Sequence, residues 1–111
     1  MGAFASRQVI LLPFPFFDLS AQKLRPAMIL ADAGRGDWVL CQITSNPYAD
    51  PRAVELAEGD FASGSLQRAS YARPGKLFTA HESLFRRIAG ELHAEAQLKV
   101  VEAVVALVRA G

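Results

Sequence analysis

A chain of 111 residues is the size of one domain with its own hydrophobic core, so residues 1–111 are expected to fold as a single unit. With 51% hydrophobic and 21% charged residues, it is somewhat richer in apolar side chains than an average globular domain, which suggests a face covered by a partner. A net charge of +1 gives no global attraction to nucleic acid, so any such binding must come from local clustering; the single cysteine, Cys41, excludes an internal disulfide and a zinc cage built on cysteines.

Residues 1–7 show no periodicity. Val9 to Leu12 is β-prone, and Pro13 and Pro15 then withhold backbone donors, so this strand is expected to leave the sheet interior there or to lie at an edge. The apolar run from Val9 to Phe17 is a poor secretion signal because the prolines interrupt it and its flanking cation is only Arg7. Phe16 to Leu24 reads as a loop. Ala27 to Asp32 forms a second strand, Ala33 to Asp37 a turn rich in residues that tolerate positive φ, and Trp38 to Ile43 a third strand. Cys41, within that apolar strand, reads as an inert core thiol.

A loop follows through Asn46-Pro47-Tyr48 and Asp50-Pro51 to a short strand at Ala53 to Leu56, and Glu58-Gly59-Asp60 turns the chain again. Gly64 to Ser70 fits either a short helix or a strand. Ser70 to Arg73 and Lys76 to Thr79 read as strand pieces around Pro74-Gly75, and Leu84 to Ile88 runs to a break at Gly90. From His93 to Val108 the pattern changes. Leu98, Val101, Val104, Val105 and Val108 recur at steps of three and four, which marks one face of a helix. Glu91 and Glu95 near its start and Arg109 before Gly111 suit the helix dipole and a terminal stop. Its valines lower intrinsic propensity, so packing against the sheet must hold it. No stretch reaches the ~18 apolar residues of a membrane span, since Lys99 and Glu102 interrupt the last one. A cytoplasmic protein with no membrane contact is expected.

Two strand ends carry the chemistry. Arg25 opens the second strand, and Thr44 closes the third. A guanidinium offers a planar fork of donors fitted to a phosphate, and a hydroxyl adds one adjustable partner, so together they can hold a phosphodiester. Lys23, Arg25, Arg68, Arg73 and Lys76 would form a basic groove if the loop after the first strand lies beside the Ser70 to Thr79 segment. Phe16, Phe17 or Tyr71 would then stack on splayed bases. Alternatively these cations are scattered solvent charges, and Arg25 pairs with Asp18 or Glu82. Arg86-Arg87 reads as a solvated face. His81 and His93 read as solvated or capping residues.

The ordered set of Val9 to Phe14, Phe16 to Asp18, Lys-x-Arg-Pro-Ala within Lys23 to Leu30, Ile43-Thr44-Ser45 and Ser70 to Thr79, with a closing helix after Ile88 to Gly90, resembles the MazF/PemK family of toxin endoribonucleases. The resemblance spans nearly the whole chain. It implies a mainly β fold with a C-terminal helix, a small SH3-like β-barrel of the MazF/PemK/CcdB type. It further implies a homodimer, a cognate antitoxin partner, and cleavage of single-stranded RNA by 2′-hydroxyl attack with neither metal nor cofactor. Arg25 matches the family's active-site arginine and Thr44 its strand-end threonine. Ser45, Asn46, Phe16, Asp18, Lys23, Arg68 and Arg73 are the further nucleic-acid-binding candidates, with Arg73 alternatively serving the dimer. The chain departs from the family at the general base. Its first loop offers only Asp18, which either accepts the 2′-hydroxyl proton or merely bonds its own backbone. A different reading of the same fold is a non-catalytic module that binds a protein such as gyrase.

Overall fold

The computed structural model describes residues 3–14 and 23–111. Among these residues the chain forms β1 (Gln8–Pro13), β2 (Leu24–Gly34), β3 (Asp37–Thr44), β4 (Val54–Leu56), β5 (Phe61–Gly64), β6 (Ser70–His81), β7 (Arg87–Leu92) and a C-terminal helix, α1 (Ala94–Ala110). The strands make one antiparallel sheet in the order β4-β6-β3-β2-β1-β7-β5. It curls into a nearly closed barrel, with α1 packed against β4 and β6 near one end of that order and β7 near the other. The expected mainly β barrel with a closing helix is therefore what the chain builds. No helix among the described residues is long and apolar enough to cross a membrane.

The meander of β1, β2 and β3 follows from alternation and turn chemistry. Met28 pairs with Val9 on one side and Cys41 on the other, while Ala27 pairs with Ile10 and Gln42. Period-two geometry sends these two sets to opposite faces. Val9, Met28, Cys41 and Ile43 join Leu92 and, from α1, Ala96 and Val100 in one cluster; Ile10, Leu12, Ala27, Ile29, Trp38 and Leu40 form the other. Fully burying a side chain such as Leu40 contributes about 1.5–3 kcal/mol. The β2–β3 turn needs left-handed backbone at Gly34, Arg35 and Gly36, with φ of 94°, 58° and 84°, and the Asp32 carboxylate accepts the Gly34 N–H at 2.7 Å. Two glycines in three positions make that turn inexpensive.

Several local expectations give way to tertiary pairing. β1 is an interior strand between β2 and β7, but its pairing with β7 stops at Leu11, before Pro13 would have to donate. Pro74-Gly75 does not separate two strands; it lies inside β6. The register jumps there, from Ile43 opposite Ala72 to Cys41 opposite Leu77, so Arg73 to Lys76 form a bulge facing Gln42. The buried Cys41 thiol donates to the Arg73 carbonyl at 3.2 Å, which satisfies a carbonyl in the bulge. Gly90 is not a break either. It sits within β7, where a Cβ would come within 2.6 Å of the Ser63 carbonyl oxygen and 2.9 Å of the Phe61 ring. Glycine here permits the close approach of β5, a strand absent from the sequence reading.

The helix is apolar on more than the face it buries. Ala96 and Val100 point into the core. Val101 and Val104 are half-buried, whereas Leu98, Val105 and Val108 are 56%, 37% and 70% exposed. The predicted face was thus drawn one flank away from the buried one. Glu91, expected near the helix start, lies in β7 and pairs with Arg7 at 2.9 Å.

Candidate functional site

A cavity of about 1060 Å³ opens where β1, β2 and β3 end. Continuing the β2–β3 register two positions past Ala27 and Gln42 sets Arg25 opposite Thr44, and both line this cavity. Lys23, Arg68, Arg73, Lys76 and Arg87 line it as well. Half of the chain's 12 basic residues therefore surround one opening. No acidic residue among the described ones lines it. A protein of net charge +1 so carries a concentrated positive site, and a cleft lined by one sign of charge focuses potential on an anionic partner.

Different elements deliver these cations. Arg25 and Lys23 come with the start of β2, and Arg87 with β7, where it pairs with Leu11 of β1. Arg73 and Lys76 bracket the β6 bulge, a device that re-aims side chains beside functional sites. Arg68 lies in the segment between β5 and β6, where Gln67 has a φ of 66° and its N–H is taken by the Ser65 hydroxyl at 2.8 Å. Ser65, Gln67, Gln42 and Ser45 add neutral polar groups to the wall, and Leu24 and Leu66 add apolar ones.

Thr44 has a structural task and retains a chemical one. Its hydroxyl oxygen accepts the Asn46 N–H at 3.1 Å, starting the turn out of β3. An acceptor bond leaves the hydroxyl proton available to donate into the cavity. The loop beyond is tightly specified. The Asn46 carboxamide oxygen accepts the Tyr48 N–H at 2.9 Å, and Tyr48 and Ala49 both take left-handed backbone, at φ 54° and 57°. Such a conformation costs about 1–2 kcal/mol at each non-glycine residue, so the surroundings must hold it.

They hold it through Arg73. Its Nε donates to Asp50 Oδ2 at 3.1 Å, with side chains only 20% and 16% exposed, and its guanidinium carbon stands 5.3 Å from the centre of the Tyr48 ring. Asp50 Oδ1 also accepts the Arg52 N–H at 2.9 Å. The Arg52 N–H, and next the Arg73 guanidinium, hold the Asp50 carboxyl below its ordinary pKa. Cys41 is the opposite case: burial pushes its thiol up to about 12, which leaves it neutral and inert as expected.

All five cations that the sequence reading grouped line the cavity, with Ser45 and Thr44 beside them. Asn46 lies just outside the lining and shapes the loop instead. Phe16, Phe17 and Asp18 fall outside the described residues. Tyr71 is not at the wall; it pairs with Glu55 of β4 and Thr44 of β3. Sequence reasoning missed Arg87 and Tyr48. Arg87 gives no local signal, since its place depends on β7 lying beside β1. Tyr48 was signalled by an aromatic in an Asn-Pro loop directly after Thr44. His81 accepts the Ser83 N–H and caps the turn at residues 82–84, and His93 occupies the N-cap position of α1. Glu82, one suggested partner of Arg25, accepts from the Trp38 indole N–H at 3.0 Å. Among the described residues, no group of three or more His, Cys, Asp or Glu side chains is arranged to hold a metal ion.

No protein-family model matches the sequence, and no curated protein sequence matches it. Solved structures do match the fold. An endoribonuclease in complex with its cognate antitoxin from a mycobacterial species is 17% identical with a TM-score of 0.71, covering 98% of this chain and 96% of that one. The Mycobacterium tuberculosis toxin MazF-mt6 is 19% identical with a TM-score of 0.71, over 93% and 97% of the two chains. MazF from Deinococcus radiodurans is 20% identical with a TM-score of 0.70, over 95% and 94%. At such low identity the agreement is one of architecture along nearly the full length of both partners, and the chain has the fold of the MazF toxin structures.

Proposed function

We propose that the protein is the toxin of a toxin–antitoxin pair, a sequence-selective endoribonuclease that cleaves single-stranded RNA without a metal ion. The observation that carries this reading is the cavity: Arg25 set opposite Thr44, ringed by five further cations and, among the described residues, by no acid. Its supporting context is the fold shared with a structure named as an endoribonuclease bound to its cognate antitoxin and with structures named as MazF, one of them as a toxin. A cytoplasmic location follows from a messenger RNA substrate.

In the proposed reaction the ribose 2′-hydroxyl attacks its own adjacent phosphorus. The O2′–P bond forms as the P–O5′ bond breaks, the 2′-hydroxyl gives up its proton and the departing O5′ takes one up from solvent, giving a 2′,3′-cyclic phosphate and a free 5′-hydroxyl. The nucleophile belongs to the substrate, so no activated water is needed. Negative charge grows on the non-bridging oxygens, and the Arg25 fork is the group fitted to receive it. Thr44 donates to a phosphate oxygen or to the departing O5′. Lys23, Arg68, Lys76 and Arg87 track neighbouring phosphates. Asp18, outside the described residues, stays the candidate acceptor of the 2′-hydroxyl proton. The exposed apolar flank of α1, Leu98, Val105 and Val108, is the surface on which we place a homodimer contact.

The test is incubation of the purified protein in EDTA with a long single-stranded RNA, with fragment ends mapped beside Arg25→Ala. Discrete cuts ending in cyclic phosphate, reduced about 10²–10³-fold in a folded Arg25→Ala protein, are expected. Intact RNA with the wild-type protein would favour a non-catalytic binding module of the same fold.

A further inference from the structure

Among the described residues, two aromatics line the cavity, Phe14 and Tyr48, and they differ sharply in availability. Phe14 is 3% exposed and packs on Phe78 with ring centres 5.0 Å apart. Tyr48 is 64% exposed. An exposed aromatic ring alone means little. This one is fixed: its N–H is held by Asn46, its backbone is left-handed, and Arg73, itself anchored on Asp50, stands over one side of the ring.

We propose that Tyr48 is a base-stacking platform, on which one unpaired base of the RNA rests next to the phosphate held by Arg25 and Thr44. This proposal rests on the RNA reading above and adds to it a residue that positions the strand. A single strand alternates anionic phosphates with flat apolar bases, and a cationic cavity answers only the first. Tyr48 answers the second with a face that needs no particular base, since every base offers a π surface. Arg73 then acts chiefly through Tyr48. Its guanidinium is engaged with Asp50 and the ring, so it sets the platform's angle as well as adding charge. The loop's turn, which starts on the Thr44 hydroxyl, keeps the platform and the phosphate site in fixed relation.

The test uses short single-stranded oligoribonucleotides carrying the mapped cleavage sequence, with 2′-O-methyl groups that block cleavage and an abasic position moved along the strand. Affinity is measured for the wild-type protein, Tyr48→Ala and Tyr48→Phe, after circular dichroism shows that each is folded. The backbone strain is common to Tyr, Phe and Ala, so the variants differ in the ring and its hydroxyl. In the wild type, one abasic position is expected to weaken binding about tenfold. Tyr48→Ala should weaken the intact strand about tenfold and make that abasic position silent, while Tyr48→Phe stays within about threefold of wild type. Tyr48→Ala binding as tightly as wild type, or retaining the same abasic penalty, would overturn the stacking role while leaving the nuclease reading in place. A wild-type protein that binds no RNA overturns both.

Discussion

Asp50→Asn isolates the contact that stiffens the site. In the native loop the two carboxylate oxygens do separate work: Oδ1 accepts the Arg52 N–H at 2.9 Å and Oδ2 accepts Arg73 Nε at 3.1 Å. An amide has one acceptor oxygen, so one of these bonds is lost together with the charge opposite the guanidinium. A hydrogen bond to a charged group is worth about 1.5–3 kcal/mol, and partial exposure of the loop favours the lower end, about 1.5 kcal/mol. An unfolding entropy of about 2.1 cal/mol/K per residue converts this to a Tm about 6 °C lower. The pH dependence has a definite sign. Because the folded pKa lies below the ordinary value of 3.8, Asp50's contribution is complete above the unfolded pKa and disappears as pH falls through the folded one. Thermal melts by circular dichroism should show a constant gap between wild type and Asp50→Asn from about pH 7 to 5, narrowing below about pH 4. Melts within about 1 °C of each other at pH 7, or a gap unchanged at pH 2.5, would refute the assignment of this pair as the loop's staple.

Three further outcomes follow from the same geometry. Arg25→Lys keeps the charge but loses the planar fork, so cleavage should fall at least about tenfold while RNA affinity changes little; full activity in initial-rate assays would contradict bidentate phosphate recognition. Each neutralised phosphate of a single strand contributes about −0.7 to the slope of log affinity against log salt, so Arg87→Ala should make that slope shallower by about 0.7, measured by salt titration of binding to the non-cleavable strand. Val105→Glu, on the exposed flank of α1, should convert a dimer to monomers in light scattering without lowering Tm by more than about 2 °C, and an unchanged mass would move the dimer contact to another surface.

The parts of this protein legible in the sequence are those written within a few residues. Alternation along β2 and β3, and the glycine-rich turn at residues 33–37, define the hairpin. Its ends define where Arg25 and Thr44 must stand, because a strand that changes from apolar to polar surfaces at that point. Pro74-Gly75 shows where local reading fails. As a dipeptide it signals a turn, yet β6 has the long β3 to pair with and absorbs the proline and glycine as a bulge, with Pro74 buried and the Cys41 thiol bonded to the Arg73 carbonyl. The helix misleads for a related reason. A repeat at steps of three and four fits any helix with a broad apolar arc, and the core selects the Ala96–Val100 side while the valines at 105 and 108 face outward.

The bulge also adds to a cavity charge that a sum over the chain hides. A regular β6 would alternate its side chains between the two faces. The extra residues opposite Gln42 bring Arg73 and Lys76 to one wall, and the Asp50 pairing then turns Arg73 toward Tyr48. Two of the cavity's six cations and the geometry of its loop thus depend on one irregularity in one strand. A core residue such as Cys41, which touches no substrate in the proposed reaction, reaches the site through the Arg73 carbonyl it bonds.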